Sequence, residues 1–209
     1  MNENIFNRNE ILARQIIKGL ESRNMKGYYA ANKEEALKLA LELIPEGSKV
    51  SNGGSASIKE IGLLNEIENG NYEYINRSKA ENPREAELLA YGCDVFLGSV
   101  NGITYDGILV NIDGNANRVS AYAYGPKKLV LIVGMNKAAS DVDSALKRAR
   151  NESAPINALR FGKNTPCTKT GSCMDCKTPD TVCCQFLITR YSRHADRINV
   201  ILVNDNIGF

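Results

Sequence analysis

The chain has 209 residues, 43% of them hydrophobic and 24% charged, with 26 Lys and Arg against 24 Asp and Glu. Against a prior of about 150 residues per domain this argues for one cored domain and against disorder, and the net charge of +2 lacks the basic excess of a nucleic-acid-binding protein. The longest apolar runs, such as Leu129 to Val133, fall far short of the about 20 residues that span a bilayer, and the polar start from Met1 to Arg8 does not read as a signal peptide, so no membrane span and a cytoplasmic location are expected.

Residues 3 to 26 read as a helix, with Ile5, Leu12, Ile16 and Leu20 near the helical period and Gly27 ending it. Asn32 can cap a second helix whose first turn holds Glu34 and Glu35. Lys49 to Ser51 is a short strand, the turn Asn52-Gly53-Gly54-Ser55 follows, and a third helix places Ile58, Ile61, Leu64 and Ile67 inward. Tyr72 to Ile75 is a strand, Pro83 opens a helix through Ala90, and Asp94 to Gly98 is a third strand. Ile103 to Thr104 and Ile108 to Asn111 form a hairpin around Tyr105-Asp106-Gly107, and Val119 to Tyr122 continues this antiparallel part. Lys128 to Gly134 is a buried strand, Asp141 to Asn151 a helix, Pro155 to Thr165 a connection, Phe186 to Tyr191 a helical piece, and Ile198 to Val203 the last strand. Strands alternating with helices predict an α/β sheet covered on both faces. Residues 163–190 read as a cysteine-rich insert within this single domain 1–209.

Four places carry chemistry. The turn Gly53-Gly54-Ser55 lets the backbone approach a ligand, and its amides and hydroxyls suit a carboxylate or phosphate; neither a Gly-Lys-Ser/Thr phosphate loop nor a G-x-G-x-x-G fingerprint is present. Around the hairpin, Asp106 could be a general base or hold a hydroxyl, Arg118 could clamp an anion, and Asn117 offers an amide; as turn-formers and surface residues they would need no ligand at all. Lys137 follows the end of a strand, where open α/β sheets bind ligands, and could reach an anion there.

The fourth place is the cysteine block. Cys93 stands alone and reads as a core residue, whereas Cys167-x5-Cys173-x2-Cys176-x6-Cys183-Cys184 clusters five thiols. With one histidine, His194, multi-histidine metal sites are excluded and a histidine triad is disfavoured. Cys167, Cys173, Cys176 and Cys183 can supply four thiolates, which suit tetrahedral zinc or a [4Fe–4S] cluster; Cys184 is an alternative ligand, a spare or a packed side chain. Residues 160–197 carry net +4, which fits a negatively charged centre but does not choose its metal.

One ordered set of motifs is shared with a known family. Gly53-Gly54-Ser55, Gly98-Ser99-Val100-Asn101-Gly102-Ile103-Thr104-Tyr105-Asp106-Gly107, Asn117-Arg118-Val119, Tyr124-Gly125-Pro126, Val133-Gly134-Met135-Asn136-Lys137, Ala154-Pro155-Ile156-Asn157-Ala158 and the terminal Gly208-Phe209 occur in one order. Over roughly residues 10–209 the chain resembles the lactate-utilisation (LUD) domain family. The resemblance implies a NagB/RpiA/CoA-transferase-like α/β fold and a role in oxidising L-lactate, beside redox protein partners of an iron–sulfur system. It carries Gly53, Gly54, Ser55, Asp106, Asn117 and Arg118 over as motif matches lining one pocket, without assigned steps, and tips the metal toward iron–sulfur. The cysteine block departs from simple members of the family. Three readings follow: a redox protein of 2-hydroxy-acid metabolism that binds a small anionic metabolite; an isomerase or transferase on a sugar phosphate or CoA ester, with Asp106 as base and structural zinc; or a non-enzymatic, metal-stapled subunit.

Overall fold

The computed structural model describes residues 2–209. Its main sheet is six-stranded and wholly parallel, in the order β1-β10-β7-β4-β2-β3, with β1 Lys26–Ala30, β2 Lys49–Asn52, β3 Glu73–Ile75, β4 Val95–Gly98, β7 Lys128–Gly134 and β10 Ile198–Val203. A smaller mixed sheet, β8-β5-β6-β9, joins β5 Gly102–Thr104, β6 Leu109–Asp113, β8 Ala138–Ala139 and β9 Gln185–Thr189.

The central strands are continuous apolar runs because helices cover both of their faces. Along β7, Leu129, Leu131 and Val133 pack with Leu12, Ile16 and Leu20 of α1 (Glu3–Ser22). The alternate residues Val130 and Ile132 pack on the other face, with Ala36 and Ala40 of α2 (Lys33–Glu42), Ile58 of α3 (Ala56–Glu60) and Leu63 and Ile67 of α4 (Leu63–Asn69). Asn32 caps α2 by accepting a hydrogen bond from the Glu35 amide at 2.8 Å. Asn82 does the same for α5 (Pro83–Leu89), where Pro83 occupies the first turn.

Four local readings differ from the structure. The first helix stops at Ser22; Asn24 turns the chain at φ +57°, and Lys26–Ala30 is a strand against β10. Val119 to Tyr122 belongs to a helix, α6 (Asn117–Ala123), entered through Ala116 at φ +63°. Pro155 lies in the first turn of α8 (Ala154–Arg160), which continues through a wide turn from α7 (Val142–Arg148), so this stretch is no connection. Phe186 falls in β9, which pairs with β6 along five residues from Asp113↔Gln185 to Leu109↔Thr189, so this piece is extended rather than helical. In each case partners distant in sequence outweigh local preference.

Because β2, β4, β7 and β10 run parallel, their C-terminal ends lie along one edge of the sheet. Residues 53–57, 99–101, 135–137 and 207–209 follow those ends, where open α/β sheets place their ligands.

Candidate functional site

A cavity of about 460 Å³ opens along that edge. Gly54, Ser55, Asn117, Arg118 and Lys137, expected from sequence to share a pocket, all line it. Gly53 stands just behind, where a Cβ would lie 3.0 Å from the Arg118 side-chain stem. Its lack of a side chain is what lets Arg118 pass. Asp106 is not among the lining residues. It accepts hydrogen bonds from Thr104 Oγ1 and from Arg23 of α1, and these hold its carboxyl below the usual carboxylate range. Asp106 thus ties the β5–β6 turn to α1, outside the lining of this cavity, and a lowered pKa is the opposite of the shift that favours a base.

Lys137 is the centre of the site. It is 2% exposed, and Nζ donates to Ser57 Oγ at 2.8 Å and Ser99 Oγ at 2.9 Å. Burial, then the charges of Arg148 and Arg118, lower its pKa to about 7, against a smaller opposing effect of Glu60. Near neutral pH a large fraction of the side chain is therefore uncharged amine. Both serines are inward members of their segments: Ser57 is in α3 and Ser99 follows β4 directly.

Arg118 is not free to grip a ligand. A guanidinium has five N–H donors, and each is engaged inside the protein. Nε donates to Asp113 at 3.3 Å, Nη1 to the Ser99 carbonyl at 3.2 Å and Asn111 Oδ1 at 3.1 Å, and Nη2 to Asn101 Oδ1 at 3.1 Å and the Ile112 carbonyl at 2.7 Å. Arg118 therefore ties β6 to the segment after β4 and lends the cavity its charge. Asn117 is committed too: its amide donates to Glu87 Oε1 at 2.8 Å, and Glu87 pairs with Arg77.

The remaining cations of the lining are Arg77, Arg160 and Lys163, and its side-chain carboxylates are Asp113 and Asp180. Arg160 ends α8, donates to the Gly54 carbonyl at 2.8 Å, and stacks its Cζ 4.5 Å from the Phe161 ring centre and 5.3 Å from that of Phe209. Its pKa is lowered by burial first and by Arg118 and Arg77 next. Ser55 Oγ is buried in the lining with no hydrogen-bond partner. A positively charged cavity with an unpartnered hydroxyl suits a small anion with further polar groups. Sequence reasoning missed Arg77 and Arg160, because nothing local marks a residue that only tertiary packing brings to this edge; Phe209 entered only as a motif match, without a site role.

The cysteine block meets the same cavity: Pro179 to Val182 and Cys184 form one of its walls. All six cysteines are free thiols. Cys93 is fully buried, with its pKa raised to about 11 by burial, as expected for a core thiol. Cys167, Cys173 and Cys176 lie close enough to Cys183 to raise its pKa to about 11, after the larger effect of burial, and Arg150 opposes them. Asp175 N–H donates to Cys173 Sγ at 3.5 Å, and Thr165 Oγ1 sits 3.1 Å from Cys167 Sγ. The donor chemistry and neighbourhood fit a thiolate-held centre; the spacing does not, for among the described residues no three His, Cys, Asp or Glu side chains are grouped to hold a metal ion.

Comparison with known proteins bears on fold and family. The chain is similar to a solved structure, a DUF162 family protein from Deinococcus radiodurans, at 11% identity, with 93% of this chain and 98% of that one covered and a TM-score of 0.54. At that identity the likeness speaks for the fold alone. No curated protein matches the sequence. The family pattern of the LUD domain matches residues 13–203, nearly the whole described chain. The chain belongs to the LUD domain family.

Proposed function

We propose that this protein binds a small carboxylate of the lactate and pyruvate class and takes part in its oxidation or reduction. The family association with lactate utilisation supplies the metabolic setting. The observation that carries the reading is the shared wall: Pro179 to Val182 and Cys184 of the cysteine block line the same cavity as Lys137 and Arg160. A cationic cavity selects the anion. A thiol-rich segment at its side is where an electron acceptor would be useful, because lactate oxidation releases two electrons.

Cys167, Cys173, Cys176 and Cys183 would hold a [4Fe–4S] cluster once drawn together, with zinc as the alternative; a cluster would supply one-electron transfer. The chain's own residues then have separate tasks. Arg160 and Arg77 attract the carboxylate, Ser55 donates to it, and Lys137 with Ser57 and Ser99 faces the carbon that changes oxidation state. Arg118 holds the walls in place.

Anaerobic purification tests this reading. The expected product is brown, with absorption at about 400 nm from thiolate-bound iron–sulfur, and the spectrum changes when L-lactate is added. Cys176→Ser lowers the iron content sharply, and Cys93→Ser leaves it intact. A colourless protein containing one zinc, or stronger stabilisation by a sugar phosphate than by lactate or pyruvate, overturns it.

A further inference from the structure

Lys137 has a feature that anion binding does not require. Among the described residues it forms no ion pair, although it is one of the largest fully buried side chains. A lysine kept only for its charge is normally paired with a carboxylate when buried, since an isolated buried ammonium is costly. The nearest acidic influence, Glu60, has both carboxylate oxygens within hydrogen-bond distance of the Gly208 amide, at 3.1 and 3.2 Å. The two groups that touch Nζ are hydroxyls, Ser57 Oγ and Ser99 Oγ. A neutral amine has two N–H bonds and one lone pair. With both N–H bonds engaged by the serines, the lone pair is the part left over.

We propose that Lys137 is a nucleophile that forms an imine with the keto carbon of a 2-oxo acid bound in this cavity. The proposal rests on the carboxylate reading of the site given above and adds the covalent step. The Nζ lone pair attacks C2 of the 2-oxo acid, and the C=O π pair moves to oxygen. A proton passes from nitrogen to that oxygen, giving a carbinolamine. A proton delivered to its hydroxyl from solvent lets water leave as the nitrogen lone pair forms the C=N bond, and the resulting iminium nitrogen returns one proton to solvent to give the imine. One water is released, and no oxidant or reductant is consumed.

The surroundings match each demand. Burial, and then the charges of Arg148 and Arg118, disfavour a third proton on Nζ. Arg160 and Arg77 lie in the same lining, where a carboxylate next to the keto carbon finds its counter-charge. Ser57 and Ser99 are within 3.3 Å of each other and flank the amine, so either hydroxyl can relay the proton between nitrogen and the departing oxygen. Lysines desolvated in this way and set beside other cations serve as imine-forming groups in general.

The test is reductive trapping on the purified full chain with pyruvate as probe. Borohydride added in the presence of pyruvate should leave a stable mass gain of about 72 Da, the reduced imine of a lysine nucleophile, on the peptide carrying Lys137. The gain should vanish in Lys137→Met and Lys137→Arg, and peptide mapping of the unmodified chain decides the matter if either variant misfolds. Thermal melting with pyruvate is run in parallel. A raised melting temperature without a Lys137 adduct overturns the imine and leaves the carboxylate site standing. Neither stabilisation nor adduct takes down both. An adduct spread over surface lysines, or retained in Lys137→Met, also overturns the proposal.

Discussion

The Tyr122 hydroxyl holds Ser99 by both of its backbone groups, donating to the Ser99 carbonyl at 2.8 Å and accepting from the Ser99 amide at 3.0 Å. Tyr122 is buried in α6, and burial raises its pKa, so the hydroxyl keeps its proton. Gly98 makes room for it: a Cβ there would lie 1.9 Å from the Tyr122 oxygen. The tyrosine thus places the serine whose side chain accepts from Lys137.

Tyr122→Phe keeps the ring and removes this hold. The Ser99 carbonyl keeps Arg118, but its amide is left buried without a partner. The expected loss is about 1–3 kcal/mol, the usual cost of stranding a buried donor. Urea denaturation checks it, and pyruvate-induced stabilisation should weaken in the same variant, because Ser99 is no longer fixed.

Arg118→Lys is expected to behave as a structural lesion. A lysine cannot reproduce a planar fork that joins Asp113, Asn111, Asn101 and two carbonyls. A destabilisation of about 3–5 kcal/mol follows if Asp113 is left without its partner in a mostly buried place. Full stability with lost pyruvate binding would instead return Arg118 to the role of an anion clamp.

Stability should rise with pH on the alkaline side of neutrality. The folded-state pKa of Lys137 is about 7 and the ordinary value is 10.5, with burial first and then Arg148 and Arg118 depressing it, and Glu60 opposing them. Between those values the unfolded chain binds the extra proton, so the unfolding free energy climbs with pH and levels off above 10.5. Cys93 and Cys183, each raised to about 11 from 9.0, act with the opposite sign above that ordinary value. The window from pH 7 to 9 therefore isolates the lysine. Denaturation at intervals across it should show the rise in the native protein and not in Lys137→Met; an equal rise in both would acquit the lysine.

Gly19→Ala should damage the fold without touching the site. Gly19 of α1 and Gly107 of the β5–β6 turn meet backbone to backbone: a Cβ on Gly19 would lie 2.4 Å from the Asp106 carbonyl carbon. Gly107 itself sits at φ +86°, a conformation glycine adopts freely. Overpacking of this kind costs about 1–3 kcal/mol. A melting temperature equal to that of the native protein would show that α1 can move aside.

Much of the fold was legible in the sequence. Lys128 to Gly134 and Ile198 to Val203 were read with the ends they have, because a run of apolar residues is what a strand covered on both faces needs. Asn32 marked one helix start through its side-chain oxygen and Pro83 marked another, and the glycine turn after β2 was placed at the cavity it lines. These are properties of a segment and its nearest neighbours. Lys26–Ala30 and Gln185–Thr189 could not be read so, since each is a strand only by virtue of a partner far along the chain, β10 and β6 respectively.

The same division holds at the site. Sequence alone determined which chemistries were possible: a lysine after a strand end, serines in glycine-rich turns, thiols in one late block, and too few histidines for other metal sites. Tertiary structure decided their use. It removed Asp106 to the far tie with Arg23, committed every donor of Arg118 to the protein interior, brought Arg160 and Arg77 to the cavity, and sank Lys137 beneath two hydroxyls. The reason is physical: burial, donor saturation and the sum of nearby charges depend on distances between segments, and those distances exist only once the sheet is assembled.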